Sequence, residues 1–312
     1  MQDALILFLR LLSMVIIVGA GYFMASKNVL KEAGKDVMSL LLNKVTLPLL
    51  IVSVFPKIIF NSENINNSIY VVIAVFIVYG INYSYSKIWS NKLNNLEKPV
   101  FINGALHSNT SFLPFPLLYA VYGDVGLFYA SLYYMVDTSM MMTIGIKRFR
   151  LDTKEKTKPT PLTIAIIVSL CIMVLVNIFN IDITHNVVYQ AVADIGNMAI
   201  PIALLFVGMI IYESNIKEVM LNKLAIKLVV LKTTILPLIA IGILFLIKPN
   251  IDGLIIIIIM TQMMMPPLLA IIPLAYEYKK DVKLATSMVV FGHIYAFVNI
   301  TILFSLLVFL FK

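Results

Sequence analysis

Two short stretches of this chain combine polar side chains with paired prolines. His107-Ser108-Asn109-Thr110-Ser111 runs into Pro114-Phe115-Pro116, and Thr261-Gln262 runs through three methionines into Pro266-Pro267. Each proline removes an amide donor and clashes with the preceding turn, so a continuous helix is not expected through either stretch. A half-helix restarting beyond such a break presents unbonded amides and the positive end of its dipole, which is the chemistry that holds an anion. Asn109 is the first candidate for hydrogen bonding to a substrate, with capping of the interrupted helix as its other reading. Ser108, Thr110, Thr261 and Gln262 either line the same site or satisfy freed carbonyls. A simple packing kink would need only one proline, and two double-proline breaks favour a binding site.

Titratable groups within apolar runs form the second set. Asp137 and His293 are intramembrane ionisable residues, costly in lipid and expected to face a cavity or a partner. One reading is proton coupling, for which an imidazole that titrates near neutrality is suited. The other is a hydrogen-bonded packing pair. His107 can titrate too, or can serve only its own helix. Lys44 and Lys232 either attract an anion or snorkel to a headgroup; snorkelling fits Lys44 and fits the deeper Lys232 less well. No metal-ligand cluster, nucleophile elbow, metalloprotease motif or phosphate loop stands in the sequence, so neither enzyme chemistry nor a cofactor is expected.

The elements that position these residues follow from composition. Apolar residues make up 61% and charged residues 13% of the 312, against roughly 25% charged in a soluble domain. The apolar runs are long rather than alternating, which excludes a barrel and predicts an all-α membrane protein with about ten spanning helices. They fall at about 4–25, 37–60, 68–89, 99–122, 126–146, 161–180, 186–212, 221–247, 253–276 and 284–311. The first run is expected to stay as an anchor rather than to be cleaved, and no soluble domain is expected. Cys171, alone in an apolar run, reads as a small hydrophobe.

Basic residues alternate by loop. Lys27, Lys31 and Lys35; Lys87, Lys92 and Lys98; the run from Lys147 to Lys158; Lys217, Lys223 and Lys227; and Lys279, Lys280 and Lys283 all fall in odd-numbered loops, against Lys57 and Lys248 in the even ones. Basic loops stay inside, so the odd loops are expected in the cytosol and both termini outside a cell membrane. The net charge of +8 is then an orientation signal, not a nucleic-acid footprint.

The linker at 150–160 divides the chain into halves at 1–149 and 161–312, five spans each. An odd number per half means the halves insert upside down, as in the inverted repeats of secondary transporters. Leu47-Pro48-Leu49 corresponds to Ile200-Pro201-Ile202, and Pro114 to Pro267, each 153 positions later. Tyr122, Ser131 and Asp137 correspond to Tyr278, Ser287 and His293 at an offset of 156.

At these residues the sequence resembles the auxin efflux carrier family, which includes bacterial members described as malate permeases. The likeness is carried by Gly21-Tyr22, Lys27 and Leu47-Pro48, by Asn109 through Leu117 with Tyr122-Gly123, by Ile200 through Gly208, and by Met265-Pro266 with Tyr278 and Asp281. It covers essentially the whole chain. It implies two inverted five-helix halves, broken helices four and nine crossing at Pro114, Pro116, Pro266 and Pro267, and transport of a small organic anion such as a carboxylate. Ser111 and Pro114 stand where the family has glycines, and Pro267 where many relatives have another residue, so substrate identity does not carry over.

A secondary transporter working by alternating access is therefore the leading expectation, with the lipid bilayer as its solvent. A homodimer is compatible with the sequence and not required by it. A sodium-coupled carrier of the bile-acid symporter type is the alternative; it would need a carboxylate and carbonyl cage where acidic residues are few. A receptor that binds without transporting is a third reading, and the short loops count against it.

Overall fold

The computed structural model describes residues 2–29, 32–59, 61–149, 159–213 and 216–311. Residues 150–158 of the expected linker, with its basic cluster beyond Phe149, lie outside these. In chain order the helices are α1 (Gln2–Ser26), α2 (Glu32–Leu41), α3 (Leu47–Val54), α4 (Ser62–Ser90), α5 (Glu97–Leu106), α6 (Pro114–Met140), α7 (Ile146–Phe149) and α8 (Pro161–Phe179). They continue with α9 (Val187–Asn197), α10 (Ala199–Glu213), α11 (Ile216–Leu221), α12 (Lys223–Val230), α13 (Leu236–Ile247), α14 (Gly253–Met263), α15 (Ile271–Glu277) and α16 (Val282–Phe311). Polar caps set several starts. Thr160 accepts from the Thr163 amide with Pro161 at the first helical position, and Asn186 and Asp252 open α9 and α14 in the same way.

Among the described residues three wide π-turns interrupt the long helices, at Leu42–Thr46, Met141–Gly145 and Leu231–Ile235. The first and third are each followed by Leu-Pro, at Pro48 and Pro237. A proline inside a helix strands the carbonyl four residues back and presses on it. The wider turn gives that carbonyl room, so both helices continue past their prolines, as the continuous runs 37–60 and 221–247 require.

Among the described residues six helical segments are long and apolar enough to cross a membrane: Asp36–Lys57, Ser62–Ser90, Pro114–Phe149, Pro161–Phe179, Val187–Glu213 and Lys223–Ile247. Their outward faces carry large exposed apolar side chains, among them Ile73, Phe76 and Ile77 on α4 and Leu246 on α13. Such faces are unstable in water and suit lipid contact. Within Pro114–Phe149 the chain is not one rod. Gly123, at φ 62° and ψ −145°, breaks it, in a conformation open to glycine and not to residues with a Cβ. The expected boundary between runs 99–122 and 126–146 falls there.

The described chain forms two compact units. The first comprises Met1–Val71, Ser111–Met135 and Pro159–Glu213. In it α1 lies along α10 at very close range. A Cβ on Gly21 would strike the Leu205 carbonyl, and one on Gly208 would strike the Val18 carbonyl. The small residues are there because the two backbones touch. Phe55 meets Phe128 edge-on at 4.9 Å, and Phe112 meets Phe206 at 5.7 Å.

The second unit comprises Val72–Thr110, Val136–Lys158 and Ser214–Lys312. Its core gathers Val100, Phe101, Ala105, Met141, Val229 and Met288 from α5, the π-turn after α6, α12 and α16. Gly104 leaves room on α5 for the Met288 side chain.

Candidate functional site

Both proline stretches are interrupted. After α5 ends at Leu106, residues 107–113 are non-helical and the helix resumes at Pro114; after α14 ends at Met263, it resumes at Ile271. The prolines do different work in the two places. Pro114 and Pro116 occupy the first turn of α6, where missing amides cost nothing, and Ser111 and Leu113 carbonyls accept from Phe115 and Leu117. The unwound stretch therefore lies before these prolines rather than at them. Pro266 and Pro267 sit within the non-helical stretch itself, and each pushes the residue before it into extended backbone.

Within the second unit the two unwound segments bond to each other. Ser108 and Pro267 form an antiparallel bridge. The Asn109 amide donates to the Pro266 carbonyl at 2.8 Å, and the Leu268 amide donates to the His107 carbonyl at 3.1 Å. Neither bond asks a proline for a hydrogen: Pro266 gives its oxygen, and the donor on that strand is Leu268. Two extended segments that would each be unsatisfied in hydrocarbon thus complete one another, which is how irregular backbone survives at membrane depth.

The polar side chains gather around this bridge. Asn109 Nδ2 lies 2.7 Å from Nε2 of His293. Nδ1 of His293 lies 2.7 Å from the Val289 carbonyl, one turn back on α16. A carbonyl can only accept, so Nδ1 carries the proton, and neutral His293 accepts from the Asn109 amide through Nε2. Gln262 Nε2 reaches the Thr110 carbonyl at 3.4 Å. The Thr261 hydroxyl bonds down its own helix to Ile257 at 2.6 Å. Ser108, Asn109, Thr110, Thr261, Gln262 and His293 are all buried.

A second polar group lies at the end of α5. His107 Nδ1 is 3.1 Å from the Asp137 carboxylate, and its Nε2 has no hydrogen-bond partner among the described residues. Asp137 and His293, quasi-equivalent in sequence, therefore belong to separate pairs: Asp137 with His107, and His293 with Asn109. Lys232 is fully buried, and its ammonium donates to the Gly104 and His107 carbonyls at 2.9 and 3.0 Å. Lys44 lies in the first unit, exposed on the π-turn before α3.

Arg148 is a residue the sequence reading missed. It stands in a basic run that reads as solvated, yet the helix continues to Phe149. The guanidinium bonds the Tyr79 hydroxyl at 2.7 Å and the Asn103 side chain at 3.4 Å, while Asn103 donates to the Gly145 carbonyl at 3.1 Å. The signal was the apolar pair Ile146 and Phe149, both buried, at helical spacing around the charge. Among the described residues no three His, Cys, Asp or Glu side chains form a group that could hold a metal.

Apolar spanning helices, two interruptions bonded to each other, and buried polar side chains at that junction define a multi-pass membrane protein of the transport class. The profile of the family described as membrane transport protein matches residues 6–160 and again residues 153–304. The chain belongs to that family, the auxin efflux carrier family whose motifs it carries. No curated protein matches it.

Proposed function

We propose that this chain is a secondary transporter that moves a small organic anion by alternating access. The observation that carries the reading is the bonding of Asn109 in two directions at once. Its main chain ties the first broken helix to the second, and its side chain is tied to the titratable His293. A residue so placed can report both ligand and proton to the elements that must move.

The finer architecture belongs to the same proposal. Ten spans, in two inverted halves of five, cross at the paired interruptions; the match of one family profile to both parts of the chain supports related halves. Both termini face outside. The anion is held by Asn109, with Ser108, Thr110 and Gln262 around it. These groups are buried here, so a ligand reaches them only when helices move apart.

Proton coupling follows from the chemistry of the Asn109–His293 pair. When His293 gains a proton, both ring nitrogens become donors. Asn109 must then turn its oxygen toward the ring and its amide hydrogens away from it. A carboxylate accepts hydrogen bonds, so protonation of His293 favours its binding, and proton and anion travel together. The test is a melting-midpoint screen of the purified protein against mono- and dicarboxylates, amines and neutral sugars at several pH values. The proposal expects stabilisation by carboxylates, stronger at lower pH. Stabilisation by amines or sugars alone would contradict it.

A further inference from the structure

The Lys232 ammonium holds a place that its neighbours would otherwise offer to a small cation. α5 ends at Leu106, and the chain beyond is extended, so the Gly104 carbonyl finds no amide four residues on. Such carbonyls are the unsatisfied end of a helix and carry the negative pole of its dipole. The His107 carbonyl lies in the unwound stretch and accepts from Leu268 as well. Lys232 Nζ donates to both.

The lysine is aimed there by built structure. It is the second residue of the π-turn Leu231–Ile235. Pro237 has no amide to give the Thr233 carbonyl, and the Asn299 side chain supplies one instead at 2.7 Å. Asn299 Oδ1 accepts from the Thr234 hydroxyl at 2.9 Å, and Tyr295 meets the same hydroxyl at 2.9 Å. The π-turn is thus clamped to α16, and the lysine side chain leaves it in one direction.

Two neutral amide hydrogens would satisfy two carbonyls, so hydrogen bonding alone does not call for a charge. A buried ammonium is costly unless negative charge surrounds it. Here that charge comes from the negative pole at the end of α5 and from Asp137, whose carboxylate takes the ring of His107, the residue whose carbonyl Lys232 meets. The other cation of this group, Arg148, is engaged with Tyr79 and Asn103. Half-helix ends and unwound carbonyls are the places where sodium-coupled carriers coordinate their ion.

We propose that the Lys232 ammonium is a tethered cation filling a monovalent-cation seat made by the Gly104 and His107 carbonyls, so that this chain needs no sodium there and gains a sodium site when the side chain is removed. The proposal concerns the cation and not the cargo, so it stands or falls independently of the transport reading.

The test compares wild type, Lys232→Ala, which empties the seat, and Lys232→Met, which fills it without charge. Each is purified in sodium, lithium and choline chloride at equal ionic strength, and melting midpoints and binding of radioactive sodium are measured. Wild type and Lys232→Met are expected to be indifferent to the salt. Lys232→Ala is expected to bind sodium saturably and to melt about 2–4 °C higher in sodium than in choline. A sodium-dependent shift in wild type would overturn the assignment, since the seat would not be filled. So would equal melting of Lys232→Ala in all three salts. Loss of both variants in every salt would also count against it, because a refillable seat would have been refilled during growth.

Discussion

Asn109 and His293 stand 184 residues apart in the chain and 2.7 Å apart in the fold, amide nitrogen to ring nitrogen. The carbonyl of Val289 fixes which ring nitrogen holds the proton, so the contact has a defined direction: Asn109 gives and His293 accepts. A proton added to His293 reverses that direction.

Removing the Asn109 amide should weaken anion binding without unfolding the protein. Its main-chain bond to Pro266 survives in Asn109→Ala. The lost side-chain bonds at a buried site cost about 1–3 kcal/mol, or about fivefold to 150-fold in affinity. Isothermal titration with the best carboxylate, beside a melting curve, separates the two effects. Unchanged affinity would remove Asn109 from the site.

The pH dependence should vanish with the ring. His293→Gln keeps a hydrogen-bonding side chain but cannot take up a proton. Wild-type affinity for a carboxylate is expected to rise as the pH falls through the titration of His293, and the variant's affinity to stay level. Asp137→Asn is the control on the other pair; a profile flattened by it alone would move the coupled proton to His107 and Asp137.

The close approach of α1 and α10 should not tolerate bulk. Gly208→Leu drives a side chain into the Val18 carbonyl, and Gly21→Leu does the same at Leu205. Each is expected to cost at least the about 1–3 kcal/mol typical of overpacking, read as a lower melting midpoint. Gly80→Leu and Gly242→Leu, where an added Cβ meets nothing, are expected to melt as wild type does. Equal behaviour of all four would contradict the helix contact.

Orientation can be read at exposed loop positions. In a Cys171→Ser background, a cysteine replacing His185 should react with a membrane-impermeant reagent from outside, and one replacing Lys279 should not. The reverse pattern would invert the topology.

Much of this architecture is legible in the sequence because its causes are local. Paired prolines are a steric signal, and both interruptions are where they point. Their fine placement is not local, since a pyrrolidine suits a first helical turn as well as extended backbone. Pro114 and Pro116 therefore mark a restart, and Pro266 and Pro267 mark the bonded segment itself. Pro48 and Pro237 carry the same symbol and break nothing, because a π-turn stands before each. The pairing of side chains was beyond reach. No spacing encodes which carbonyls Lys232 meets, or that His293 faces Asn109 and not Asp137. The roles of Gly21 and Gly208 likewise exist only once two distant helices lie against each other.

The central claim is that the junction at Asn109 carries an anion across the membrane, and uptake into proteoliposomes tests it most directly. Wild type and Asn109→Ala are reconstituted at equal density, with protein-free vesicles as the blank, and radiolabelled mono- and dicarboxylates are offered with and without an inward proton gradient. The account predicts that wild type accumulates at least one carboxylate above the blank, faster with the gradient, and that Asn109→Ala does so at least about fivefold more slowly at subsaturating substrate. Carboxylate uptake by wild type that Asn109→Ala matches in rate and gradient dependence would contradict it.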